Sequence, residues 1–375
     1  MMRIGKFTDF YRDVTKAGTK IPQEKYLKVG HYPVIDQGRQ AIVGRWDSDD
    51  GICKEIPAII FGDHTRAIKY IEEPFFIGAD GVKILRPVNV QDNPKYLYYA
   101  LQAARIPNLG YSRHFKALKE LDFHVCSIEK QDEIVRILEK IDYLIEQCHE
   151  EDSCLNQIVK SRFIELFVET DEASEWSYHT IADVSNDMRT GPFGSALHHD
   201  EFVDSGVFVL GIDNAVENKF SYNRMRYITE EKYQQLKRYT VYPGDVIITI
   251  MGTVGRSAVI PADMPKAINT KHLACITPNV EMVNAQFLSC AFQIHPDIRT
   301  QLQKQCKGAI MAGLNLTIIK GLSFRIPPIT LQNQFLEFYE QTNKSKYYSQ
   351  KFLTLCRSAA NIYEQEWMKC QTLNF

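Results

Sequence analysis

No stretch of this chain is apolar for long enough to cross a bilayer. The longest runs, such as Val246 to Met251, fall far short of the roughly 20 residues a membrane helix needs. The opening residues, Met1 to Phe10, lack the apolar core of a signal peptide. The 9 cysteines form no CxxC pair and are odd in number, so neither a thiolate zinc site nor a disulfide framework is indicated. They read as reduced thiols of a cytoplasmic protein. There is no HExxH and no GxxxxGK[ST], which excludes a zincin helix and a nucleotide P-loop. Neither sign of charge dominates: 44 Lys and Arg oppose 46 Asp and Glu, for a net charge of -2. That balance excludes a uniformly basic protein, but a basic face balanced by an acidic one still permits nucleic-acid binding.

What is present is an average globular composition, 45% hydrophobic and 24% charged, over 375 residues. At about 150 residues per domain, two or three domains are expected. Apolar residues recur with a 4,3 spacing from Ile134 to Leu166, through Leu138, Ile141, Ile145, Leu155 and Val159, with no Pro or Gly between. This is a coiled-coil seam on a helix of roughly 58 Å, which needs a partner to cover it. A second, more polar stripe follows Leu331: Phe335, Phe338, Thr342, Phe352, Cys356, Ala359 and Tyr363. The similar lengths suggest that the two helices pair with each other. The segments before them are rich in strands, as in Ile56–Phe61, Phe208–Ile212 and Val246–Ile250. The fold class expected is α+β.

The two halves repeat. An offset of 201 residues sets Leu118, Lys119, Leu121, Phe123, Val125, Ile128, Gln131 and Ile134 against Ile319, Lys320, Leu322, Phe324, Ile326, Ile329, Gln332 and Phe335. Further upstream an offset of about 175 matches Asp9, Tyr26 and Gly30 to Asp183, Phe202 and Gly206. A duplication with insertions in the second half accounts for both.

Catalytic constellations are few. The segment Gly252–Gly255 lacks a dinucleotide fingerprint. Asn93-Pro94-Lys95-Tyr96 is only faintly like the Asn-Pro-Pro-Tyr of amino-methyltransferases, because Lys95 breaks it. Gly62 to Arg66 sets Asp63, His64 and Thr65 at a strand end. With no nucleophile nearby, it reads better as a polar loop in which Asp63 caps a turn. Basic residues interleaved with aromatics recur in four groups that suit phosphate and base-edge contacts. They are His64, Arg66, Lys69 and Tyr70; Tyr111, Ser112, Arg113, His114 and Lys116; Arg224 and Arg226 with Lys232, Lys237 and Arg238; and Arg256, Lys266, Lys271 and His272. Arg189 joins them as a candidate DNA contact. The acidic excess lies at 129–175, along the first long helix.

Several of these segments resemble type I restriction-modification specificity subunits. Gly191 to Ala196, Glu201 to Gly206 and Val209 to Ile212 are similar to the opening of a target recognition domain in that family, and Pro243 to Arg256 resembles its central strand motif. Tyr32 to Gly38, Ile60 to Arg66 and Gly78 to Gly81 look like a recognition domain of another subtype. Ile326-Pro-Pro-Ile329 with Gln332 resembles the junction into a conserved helix. At the first junction Cys126-Ser127 replaces the two prolines, though Ile128 and Gln131 remain.

The resemblance implies two α/β target recognition domains, at 1–127 and 173–327, each followed by a long helix, at 128–172 and 328–375. It implies that the helices pair as an antiparallel coiled coil. It also implies a non-catalytic subunit that reads a bipartite site in double-stranded DNA and scaffolds two methyltransferase subunits and restriction subunits. S-adenosylmethionine, ATP and Mg²⁺ would serve those partners, with no cofactor or metal on this chain. A stand-alone DNA-modifying or DNA-cleaving enzyme and a DNA-independent interaction scaffold are the alternatives. The first would need a catalytic domain for which no stretch is left, and the second predicts no salt-dependent DNA affinity.

Overall fold

The computed structural model describes residues 2–193, 196–306 and 313–369, and the side chains of all of these except 306 and 362–369. Gly194, Ser195, Cys370 and the side chains of Cys306 and Tyr363 lie outside the described residues. The fold is α+β, and the chain divides into two compact units, Met1–His149 with Gln350–Phe375 and Glu150–Ser349. No helix among the described residues is long and apolar enough to cross a membrane.

The strands of the first unit are β1 (Arg3–Lys6), β2 (Tyr11–Asp13), β3 (Tyr32–Ile35), β4 (Gly44–Trp46), β5 (Ala58–Gly62), β6 (Ile68–Ile71), β7 (Phe76–Ile77), β8 (Val82–Pro87) and β9 (Asp122–Val125). They form a β1-β9 ribbon, an antiparallel sheet in the order β2-β8-β5-β6, and a sheet β4-β3-β7 in which β3 and β7 run parallel. Strand β5 is apolar throughout because both of its faces are covered. Ile59 and Phe61 enter a core with Phe7, Tyr11 and Tyr96, while Ala58 and Ile60 enter another with Ile35, Phe75 and Ile84.

The second unit repeats this plan. Its strands are β10 (Tyr178–Thr180), β11 (Ser185–Thr190), β12 (Val207–Leu210), β13 (Tyr227–Ile228), β14 (Thr240–Val241), β15 (Val246–Thr249), β16 (Ser257–Val259), β17 (Ala267–Asn269), β18 (Leu273–Pro278) and β19 (Ser323–Arg325). The ribbon β10-β19 matches β1-β9, the sheet β11-β18-β15-β16 matches β2-β8-β5-β6, and β13-β12-β17 matches β4-β3-β7, with β14 added at the edge. Again β12 and β17 are parallel. Strand β15 is sandwiched as β5 is, with Val246 and Ile248 on one core and Ile247 on another.

The repeat extends to single hydrogen bonds. Asp9 accepts from the Lys6 N–H at 2.7 Å, and Asp183 accepts from the Thr180 N–H at 2.8 Å. Asn93 and Asn284 cap the helices Pro94–Ala103 and Ala285–Ile294 with their side-chain oxygens. The carboxamide of Gln131, fully buried, accepts from the Asn93 N–H at 2.8 Å and donates to the Cys126 carbonyl at 3.0 Å and to Asp92 at 2.8 Å. Gln332, equally buried, accepts from the Asn284 N–H at 2.9 Å and donates to the Pro327 carbonyl at 2.8 Å and the Met282 carbonyl at 3.0 Å. Each glutamine reads only the carbonyl of residue 126 or 327; Cys126 in addition donates its N–H to the Tyr96 hydroxyl at 3.3 Å, a bond Pro327 has no N–H to make.

The long helices are Ile128–Phe167 and Ile329–Lys369. Within each unit their segments pair antiparallel. In the second unit Lys346 donates to Asn156 at 2.7 Å and Ser349 to Glu151 at 2.9 Å; in the first, Arg357 lies 3.3 Å from the His149 ring. Leu138 is buried and Ile141 partly buried against the core of the first unit, and Ile145 is half-buried. Leu155 is half-buried, while Val159, Phe335 and Phe338 join the core of the second unit. Phe352 departs from expectation: it is 45% exposed. The inward stripe of this helix runs Phe335, Tyr339, Thr342, Lys346, Ser349, Leu353, Cys356, a strict 4,3 spacing with polar members in the middle. Following apolar side chains alone shifts the register by one residue, from Leu353 to Phe352.

Two substitutions separate these positions. Phe335→Ala, in a fully buried aromatic cluster, should destabilise the protein by about 3–5 kcal/mol, whereas Phe352→Ala should cost less than about 1 kcal/mol. Equal urea midpoints for the two variants would refute this register. Gln332→Leu should cost about 1–3 kcal/mol for each backbone group it leaves unpaired, read in the same unfolding measurement.

Candidate nucleic-acid interface

In the second unit, parallel pairing brings the carboxyl ends of β12 and β17 together, and the Thr270 N–H donates to the Leu210 carbonyl at 3.1 Å. The residues after each strand, Gly211–Asp213 and Thr270–His272, therefore share one edge, the usual place for a ligand crevice beside parallel strands. Arg224 and Arg226 come to the same place, so two groups far apart in sequence line one cavity of about 470 Å³. Arg226 donates to Asp213 at 2.6 Å, which fixes its guanidinium in the cavity wall. Arg224 is exposed, with a left-handed backbone at φ 55. Partial burial, followed by the Lys271 and Arg226 charges, holds the His272 imidazole below its ordinary value. His198 and His199 also line the cavity, and sequence reasoning passed over them although they lie between two of the family-like segments. Arg256 lies outside this lining. It is exposed and closes the turn after β15, where Gly252 and Gly255 take φ values of 72 and 79.

The matching edge of the first unit lies at the ends of β3 and β7, where the Gly78 N–H donates to the Ile35 carbonyl at 2.8 Å. The Gln37 side chain accepts from the His64 N–H at 3.2 Å, and the His64 ring stacks on Tyr111 at 5.5 Å. Tyr111 is 94% exposed, and Ser112, Arg113 and Lys116 are exposed with it. An exposed aromatic beside an exposed guanidinium suits a nucleic-acid surface.

Other candidates are committed inside the protein. The Arg189 side chain is 11% exposed. It donates to the Thr240 carbonyl at 2.8 Å, to Asp187 at 2.7 Å and to Thr277 at 2.9 Å, and it is ion-paired with the buried Asp245. Asp245 also accepts from Thr277 at 2.6 Å and from the Tyr242 N–H at 2.8 Å, so the turn before β15 is tied to β11 and β18. Lys69 is buried and donates to the Asp36 carbonyl at 2.9 Å; burial pulls its ammonium below its ordinary value despite Asp36. His114 is buried: one ring nitrogen lies 2.9 Å from the Asp63 carbonyl and the other accepts from the Leu109 N–H at 3.1 Å. Arg66 donates to the Ile106 carbonyl at 3.1 Å. With their donors engaged by protein, Arg189, Lys69 and His114 are structural, and they leave the candidate surface. The Asp63 carboxylate accepts from the Phe115 N–H at 2.7 Å, which makes it a cap on the short helix Phe115–Lys119. Asn93 is likewise a helix cap.

Removing Arg189 strands a buried carboxylate, so Arg189→Ala should cost about 3–5 kcal/mol of stability. Arg256→Ala, on an exposed side chain, should stay within about 0.5 kcal/mol. Thermal unfolding of both variants checks this. An Arg189→Ala protein as stable as the parent would return Arg189 to the surface list.

Residues 3–154 match the family model described as the type I restriction modification DNA specificity domain. The EcoBI type I restriction enzyme specificity subunit of Escherichia coli is 26% identical over 167 residues, 44% of this chain; the match spans 35% of that relative's length. Among solved structures, the S subunit of a type I restriction-modification system from M. genitalium has a TM-score of 0.59 at 15% identity, covering 97% of this chain and 95% of that one. A chain from a structural study of type I R-M complex assembly has a TM-score of 0.51 at 12% identity, covering 97% of each. These two likenesses extend the fold over both units. The first part of the chain, residues 3–154, is thus similar to the type I restriction modification DNA specificity domain, and the match to the curated relative spans about a third of that relative's length.

Proposed function

We propose that the chain is the sequence-specificity subunit of a type I restriction-modification complex, reading a bipartite target in double-stranded DNA with one recognition domain per half-site. One observation carries this reading. Two domains of the same topology present exposed cations and aromatics near the same edge, the carboxyl ends of their parallel strands, but on loops of different sequence. Equivalent frames with unlike loops suit two different readers. In this reading the long helices scaffold two methyltransferase subunits and the restriction subunits. S-adenosylmethionine, ATP and Mg²⁺ act on those partners, and the assembly works in the cytoplasm. The chain itself is non-catalytic: purified alone with all three supplied, it should neither methylate nor cut DNA.

The test is co-purification with methyltransferase subunits followed by mapping of methylated sites. A complex that methylates a split motif supports the reading. A chain that assembles with no methyltransferase and shows no salt-dependent DNA affinity overturns it.

The exposed arginines divide the labour. Arg113→Ala should relax or weaken one half-site and Arg256→Ala the other, each by about 1–3 kcal/mol of discrimination if the side chain meets a guanine edge. Lys116→Ala should weaken binding to all sequences alike and reduce the salt slope by about one. Methylation maps from the two arginine variants that changed the same half-site would contradict the two-reader arrangement.

A further inference from the structure

We propose that the cavity at the carboxyl ends of β12 and β17 binds a single nucleotide, its base against the apolar residues of the lining and its phosphate on the cationic ones. This goes beyond the reading of a paired duplex and does not depend on it. Base-edge readout in a groove is made by side chains that project outward. A cavity of about 470 Å³ instead receives something that projects inward, and it falls in the size class of small-ligand sites, about 300–1,000 Å³.

The lining is of two characters. Pro192, Leu197, Phe202 and Ile212 make part of the lining apolar, and Arg224, Arg226 and Lys271 make part of it cationic. A lone inorganic anion would leave the apolar residues uncovered, and an apolar ligand would leave Arg224 and Lys271 without counter-charge. An aromatic heterocycle joined to a phosphate satisfies both. Phe202 and His199 meet edge to face at 5.7 Å and offer a stacking surface. Asp213 is the carboxylate of the cavity. It is paired with Arg226, so its charge is already answered and its effect is to hold that guanidinium in place. The Thr270 hydroxyl is buried in the wall without a hydrogen-bond partner, and rotation about its χ1 would offer it to a ligand. A Cβ at Gly211 would lie 2.5 Å from Arg226 Nη1, so a larger residue there would push that guanidinium off its place beside Asp213.

The same chemistry has two sources: a free mononucleotide, or a nucleotide unstacked from DNA, whose extrusion is easiest where it is unpaired. Two binding measurements on the full chain separate them. The first titrates the four 2′-deoxynucleoside 5′-monophosphates against inorganic phosphate. The second compares a duplex carrying one unpaired nucleotide with the same duplex fully paired. We expect a gain of at least about tenfold in one of the two, from the base in the first arm or from the unpaired nucleotide in the second. The arm that shows the gain identifies the source. Arg226→Gln and Gly211→Val should each abolish it. Lys271→Gln, at an exposed residue, replaces either variant whose thermal unfolding shows a lost fold. The proposal is overturned if nucleotides bind no better than inorganic phosphate and the unpaired nucleotide adds nothing, or if the gain survives in folded variants. In either case binding to the paired duplex and split-site methylation would be untouched, so the broader reading would stand.

Discussion

A buried glutamine at the start of each long helix is the interaction on which the rest of the fold depends. Gln131 and Gln332 have no exposed surface, and each side chain joins the first turn of its helix to two other segments of its unit. A buried amide left unpaired is costly, so the geometry is held closely. It sets where the chain leaves the sheet region and which face of the helix turns inward. The core contacts of Leu138 in one unit and Phe335 in the other follow from that.

Charge on this protein divides by what the donors already hold. Arg189, Lys69 and His114 face carbonyls and carboxylates of their own unit, and their contribution is to stability. Arg113, Lys116, Arg224, Lys271 and Arg256 keep their charge at the surface or in an open cavity. Arg226 stands between these classes. It is paired with Asp213, yet it lines the cavity, as a positioned guanidinium must if it is to recognise a ligand without first losing conformational freedom.

Much of the architecture was legible in the residues, and the reasons differ by element. The first long helix announced itself because its seam from Ile134 to Val159 is mostly apolar. The second was legible in its extent but not in its register, because Thr342, Lys346 and Ser349 occupy its inward positions and hydrophobicity alone pointed to Phe352. The strand runs of β5 and β15 were readable because both their faces are covered. Arg189 was misplaced because a buried arginine and a DNA-contacting one look alike in a sequence; only the approach of Asp245, Thr240 and Thr277 tells them apart. The union of Arg224 and Arg226 with Lys271 and His272 was also hidden. It depends on β12 and β17 lying parallel, a pairing between segments remote in the chain.

The junctions have a consequence for how such proteins diverge. At residues 126 and 327 the buried glutamine asks only for a backbone carbonyl, which every amino acid supplies. A change of side chain at these places leaves the glutamine's bond in being, whereas a change of the glutamine itself removes it. Two halves built this way can keep one set of strand orders and caps while sharing few letters. The family model matched residues 3–154, and the second half follows the same plan with one edge strand added. Between the two halves of this chain, the pattern of buried hydrogen bonds repeats even where the side chains at the junction differ.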